Sequence, residues 1–301
     1  MNIGLLDVDG LNFPNVALMK IASYHKMRGD SVEWAMPMFG EYDRIYASKI
    51  FTFTPDFNIP EYRAKEFILG GVGYDIKSKL PEEIEKHLGM DYSLYPQYAF
   101  SVQFYSRGCI RNCPFCLVHD KEGAIHPVKP MDWNPKAKWI EVLDNNFFAN
   151  PQWRDAVDDL RKQKLPIKFH GVDVRIMNEE QAEALNTLKL NGNIHIAWDL
   201  PQIDLTRQLE TMTKYIKPYK ITCYVLIGFN STIDQDLFRL RTLKRLGILP
   251  FVQPYRDFEN NRTPSQYERD LGRWANRAWL FKSMDFADYE PRKGFKCREY
   301  I

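Results

Sequence analysis

Between residues 97 and 254, short apolar runs alternate with amphipathic stretches, and this alternation constrains the fold more than any other feature of the chain. The runs are AFSVQFY, KWIEVLD, IKFHGVD, NIHIAWD, YKITCYVLIGF and ILPFVQP. PQWRDAVDDLRKQK, NEEQAEALNTLKL, DLTRQLETMTKYIK and TIDQDLFRLRTLKRLG separate most of them, with apolar residues at helical spacing. A strand that reaches the next strand through a helix pairs with it in parallel and crosses over right-handed. Strands that are apolar almost throughout are covered on both faces. The expected fold class is therefore α/β, a partial (β/α)6 TIM-like barrel over residues 96–301. A single C-terminal helix, TPSQYERDLGRWANRAWLFKSM, is expected to close its open side.

Residues 1–95 read as a small Rossmann-like α/β domain. NIGLLDV, SVEWAM, KIFTFT and EFILGGV are strand candidates. NVALMKIASYHKMRG is a helix ending at Gly29, EYDRIYAS a further helix, and PEEIEKHLG a helix with proline in its first turn.

The bulk properties exclude more than they select. With 301 residues, 45% hydrophobic, the chain has ample material for a core. The 41 basic and 39 acidic residues nearly cancel, so charge does not indicate a nucleic-acid partner. The first residues meet Asp7 and Asp9 at once and have no basic leader, which argues against a signal peptide. The longest apolar runs fall far short of the roughly 20 residues of a membrane span. Five cysteines, three of them clustered, do not make a secreted disulfide framework, and a cytoplasmic protein is expected.

The cluster is SRGCIRNCPFCLVHD, with Cys109, Cys113 and Cys116 spaced C-x3-C-x2-C. Thiolates suit both iron–sulfur clusters and zinc. A loop of this length can hold three corners of a cubane cluster and leave one iron without a protein ligand. Alternatively, His119 completes a Cys3His zinc site in a non-catalytic binding protein. The loop follows the first strand of the repeat. Polar residues also gather at later strand ends: Asp144, Asn145 and Asn146, Asp173 with Arg175, Asp199, Gly228 to Asn230, and Gln253 with Tyr255 and Arg256. In parallel α/β barrels that edge carries the active site. Asp173 and Arg175 also suit a plain ion pair, His170 a satisfied core histidine, Cys223 a packing residue, and Cys297 an incidental thiol.

C-x3-C-x2-C with Phe115 just before the last cysteine, placed after the first strand of a β/α repeat, resembles the radical S-adenosylmethionine (SAM) superfamily. The resemblance covers residues 97–260. It implies a [4Fe-4S] cluster on Cys109, Cys113 and Cys116, with SAM chelating the fourth iron. An electron, delivered by a donor such as flavodoxin or ferredoxin, then cleaves SAM to methionine and a 5′-deoxyadenosyl radical that takes hydrogen from a substrate the resemblance does not name. It further implies that Asp144, Asn145 and Asn146 meet the SAM amino group, where the family commonly has a GGE-like stretch. Asp199 would meet the ribose, and Phe115, Ile227 and Gly228 the adenine. Methylthiotransferases of RNA or protein share the resemblance, but they carry an RNA-binding module for which few residues remain here. The first 95 residues resemble a cobalamin-binding-type domain. The loop DVDGLNFPN has no histidine where that family binds cobalt, so the domain reads as degenerate and cobalamin is not expected.

Overall fold

The computed structural model describes residues 1–257 and 260–301. By its internal contacts the chain divides into two compact units, Met1–Asn145 and Asn146–Ile301. Both are mixed α/β with parallel sheets.

The first unit begins with β1 (Asn2–Asp7), α1 (Val16–Met27), β2 (Ser31–Trp34), β3 (Glu41–Ser48) and β4 (Arg63–Gly70). These strands form one fully parallel sheet in the order β2-β1-β3-β4. Helix α1 starts where the Asn15 side chain accepts from Leu18 N, a side-chain cap on an otherwise unsatisfied amide. Leu18, Met19, Ile21 and Ala22 of α1 join Ile3, Leu5 and Tyr46 of the sheet in one buried core.

Two local expectations fail here, for physical reasons. EYDRIYAS is β3, a strand between two others, not a helix. Its Tyr42, Ile45 and Tyr46 fall at helical spacing, but Ile45 to Ser48 are all buried, so sheet position overrides the periodicity. KIFTFT is a loop rather than a strand. Asp9, in the turn after β1, accepts from Ile50 N at 2.5 Å, Phe51 N at 3.3 Å and Thr54 Oγ1 at 2.6 Å, so a carboxylate takes the place of a strand partner. Phe51 and Phe53 stack on each other at 5.2 Å and stay exposed.

The unit continues with α2 (Glu82–Lys86), β5 (Phe100–Gln103), β6 (Ser106–Arg107), α3 (Val118–Glu122), β7 (His126–Pro127) and β8 (Trp139–Val142). β5 and β8 pair in parallel, Phe100 opposite Trp139 through Gln103 opposite Val142. The cysteine stretch leaves β6 and returns through α3 to β7, which pairs antiparallel with β6.

The second unit alternates as expected: α4 (Trp153–Gln163), β9 (Ile167–Phe169), α5 (Glu179–Asn186), β10 (Ile194–Ala197), α6 (Thr206–Tyr215), β11 (Ile221–Ile227), α7 (Ile233–Arg245) and β12 (Leu249–Pro254). β10, β11 and β12 are parallel neighbours in that order. Along β11, Ile221, Cys223, Val225 and Ile227 are buried, and the residues between them are half-buried. Capping boxes built on Asn178, Thr232 and Ser265 start α5, α7 and α8 (Gln266–Ala275).

The expected single C-terminal helix is two, α8 and α9 (Ala278–Ser283). The break falls at Asn276, whose side chain turns to β12 and bonds both Val252 N (2.7 Å) and Val252 O (3.0 Å). Trp274 is buried beneath α8, whereas Trp279 of α9 is 66% exposed. No helix among the described residues is long and apolar enough to cross a membrane.

Candidate functional site

In the first unit the cysteine loop is held at both ends by carboxylates. At its entry Asp144, following β8, accepts from Tyr105 N at 2.9 Å and from Ser106 Oγ at 2.5 Å. At its exit Glu122, the last residue of α3, accepts from Arg107 Nη2 (2.6 Å), Gly108 N (2.8 Å) and Asn145 Nδ2 (2.8 Å). Arg107 is further fixed over the Phe104 ring, 4.3 Å from its centroid. Gly108 has φ +78°, and a Cβ there would press against the carbonyl oxygens of Gly123 and Ala124, so the two ends of the loop approach more closely than a side chain permits.

Within the loop all three cysteines are half-buried. Cys109 N donates to Gly123 O at 3.2 Å, and Cys116 N donates to Cys113 O at 2.9 Å. The Cys109 sulfur accepts from Arg111 N at 3.4 Å. Phe115 is half-buried, and His119 sits in the first turn of α3. Among the described residues no group of three or more His, Cys, Asp or Glu side chains is drawn into metal-holding geometry. The donor set itself, three soft and partly accessible thiols on a loop anchored outside the thiols, fits an iron–sulfur cluster.

The three residues of the DNN stretch turn to three different partners. Asp144 is 1% exposed and holds the loop entry. Asn145 donates to Glu122. Asn146, in the second unit, donates from Nδ2 to Asp173 Oδ2 at 3.1 Å. Asp173 and Arg175 form a two-pronged ion pair, with Arg175 Nε to Oδ1 at 2.6 Å and Nη2 to Oδ2 at 2.9 Å.

In the second unit Asp199 follows β10 and accepts from Leu226 N on β11 at 3.2 Å, beside Ile227 and Gly228. Its carboxyl is raised above the ordinary carboxylate range by burial. The ends of β10 and β11 are tied by Arg239 of α7, which is fully buried. Its Nη1 donates to Trp198 O (2.7 Å) and Leu226 O (2.9 Å), and its Nη2 pairs with Asp236 at 2.6 Å. Gly228 has φ +74°, and a Cβ on it would collide with Arg262 and Glu268.

Sequence reasoning did not find Glu122, Arg239 or Asp236. Arg239 and Asp236 are charged residues on a helix that reads as amphipathic, and Glu122 lies on a five-residue helix with no sequence signal; their partners lie far away in sequence or across the helix turn. His170, expected in the core, is exposed. Cys223 and Cys297 are both fully buried. Burial pushes the Cys297 thiol up to about 12 and the Cys223 thiol upward as well.

Burial also raises the Asp144 carboxyl from 3.8 to about 6. The folded state therefore holds this proton more tightly than the unfolded chain. The resulting stabilisation is complete below about pH 4 and is lost as pH rises through about 6, a change of about 3 kcal/mol. In Asp144→Asn this contribution to the slope disappears. Chemical denaturation between pH 4.5 and 7.5 should give a flatter stability profile for the variant than for the parent, and parallel profiles would count against the burial argument.

Compared with models of known protein families and with curated proteins, the sequence matches none.

Proposed function

We propose that the chain is a radical SAM enzyme whose strands 97–254 follow the order of a partial β/α barrel, preceded by a small Rossmann-like unit. The observation that carries this reading is the cysteine loop. Three thiols in C-x3-C-x2-C stand on a segment whose two ends are fixed by Asp144 and Glu122, independently of the thiols. Cys109, Cys113 and Cys116 would hold a [4Fe-4S] cluster. When bound, that group supplies the electron for reductive cleavage of SAM.

The rest of the proposal concerns this chain's own residues. Asp144 and Glu122 position the loop, and Arg107, ion-paired with Glu122 and lying over Phe104, is fixed beside it. Asn145 and Asn146 are engaged by Glu122 and Asp173, which favours a supporting role for them over direct contact with SAM. In the second unit Asp199, Ile227 and Gly228 are the proposed nucleoside contacts, and in the first unit Phe115 keeps the adenine role that the resemblance implies. Arg239 holds the strand ends that carry Asp199 and Gly228.

The test is made on protein purified without oxygen. The expected result is about four irons and four sulfides per chain, with reductant-dependent conversion of SAM to methionine and 5′-deoxyadenosine. One zinc, no sulfide and intact SAM would replace this reading with a Cys3His zinc site that includes His119.

A further inference from the structure

The solvent side of α8 and α9 gathers cations around an open tryptophan. The two helices pack on each other through the buried rings of Trp274 and Phe281, whose centroids are 5.1 Å apart. That contact turns Arg273 of α8, Arg277 at the break, and Trp279 and Lys282 of α9 outward, and all four are exposed. Residues three and four apart on a helix are neighbours, so Trp279 and Lys282 share one face of α9. Arg273 and Arg277 flank the end of α8, and the four side chains make a single strip.

Packing does not account for Trp279. It is 66% exposed, and among the described residues its ring meets no other ring and no cation, and its Nε1 has no hydrogen-bond partner. Nor do ion pairs account for the cations. Among the described residues Arg273, Arg277 and Lys282 pair with no carboxylate. From residue 273 to 285 the sequence holds one acid, Asp285, and it pairs with Arg241 of α7 at 3.8 Å. Lys244 of α7 adds another positive charge beside α9, since it donates to a neutral acceptor, Met284 O, at 2.6 Å. The nearly balanced total charge of the chain conceals this local excess.

We propose that this strip binds a single strand of nucleic acid, with Arg273, Arg277 and Lys282 on its phosphates and Trp279 stacked on a base. An exposed indole is a platform for any unpaired base, and cations around it follow the backbone. A duplex keeps its bases stacked on one another and offers Trp279 none. A bilayer surface matches less well, because an interfacial helix presents a whole apolar face. The exposed residues of α9 are Ala278, Trp279, Lys282 and Ser283, while Leu280 and Phe281 are buried. The strip goes beyond the radical SAM reading and depends on no group bound to the cysteines.

The experiment is fluorescence anisotropy of a labelled oligouridylate of about 12 nucleotides, within the span of known single-strand sites. It is titrated with the full chain, without SAM or reductant, at several salt concentrations. Binding is expected to fall with a log–log salt slope of about −2, which is about −0.7 for each of three phosphates neutralised. Trp279→Ala should weaken binding at least about fivefold with the slope unchanged. Arg273→Gln combined with Arg277→Gln should bring the slope to about −0.7. All three positions are exposed, so circular dichroism of both variants should match the parent. Absence of binding at low salt, equal affinity for the same strand annealed to oligoadenylate, or unchanged affinity in either variant would overturn the strip. So would binding of phosphatidylserine vesicles in place of the oligonucleotide. Because SAM cleavage is not measured, a failed cluster assay leaves this result standing, and the reverse also holds.

Discussion

On the proposed function, Cys113→Ala is expected to abolish iron and sulfide incorporation, and with it reductive cleavage of SAM, while leaving the fold intact. The loss is expected to be near complete, to less than about a tenth of the parent iron content, because two thiolates do not hold a cubane cluster. Substitution from elsewhere in the chain is blocked. Cys223 is fully buried mid-strand on β11, and Cys297 is fully buried in the C-terminal segment. The intact fold follows from the anchoring of the loop, since Asp144 and Glu122 bond to Tyr105, Ser106, Arg107 and Gly108 and to none of the three thiols. Iron analysis and circular dichroism on the same preparation check both halves. Cys297→Ala is the control and should retain full iron. A Cys113→Ala protein that keeps iron, sulfide and SAM cleavage would remove the basis of the proposed function.

Arg239→Met destabilises the chain by about 3–5 kcal/mol, the cost of breaking a buried ion pair from one side. Asp236, 2% exposed, then keeps only the hydroxyls of Ser231 and of Tyr267, the latter at 3.3 Å, as side-chain donors among the contacts described, and no cation. The carbonyls of Trp198 and Leu226 lose their guanidinium donor at the same time. Burial already raises the Asp236 carboxyl, and removing the neighbouring cation raises it further. Adding Asp236→Asn should therefore return part of the loss. Urea denaturation of the two single variants and the double variant closes the cycle. A single variant within about 1 kcal/mol of the parent would mean that Arg239 does not tie the strand ends.

The alternation of strand and helix was legible because strands covered by crossover helices carry their own signal over a few residues. All six expected strand-sized runs after residue 97 contain a strand, and each of the four stretches between them contains a helix. The cysteine spacing was legible for the same reason, being local. What escaped depended on partners distant in sequence. The Asp9 carboxylate that turns KIFTFT into a loop lies 41 residues before Ile50, so nothing in the stretch itself announces the change. EYDRIYAS became a strand because both its neighbours are strands. Glu122 has no distinguishing spacing from the cysteines and is identified only when Arg107, Gly108 and Asn145 converge on it. Arg239 and Asp236 occupy positions where a charged pair normally faces solvent, and only the packing of α7 on the strand ends reveals that both are buried.

The break between α8 and α9 carries a consequence for association between copies. β12 borders its three-stranded sheet, and an unguarded border strand offers its amides and carbonyls to any extended peptide. The Asn276 carboxamide occupies both groups of Val252, imitating the next strand with a single side chain. It blocks the sheet from recruiting a strand of another copy at that point, so the interruption that shortens the helix also works against edge-to-edge aggregation.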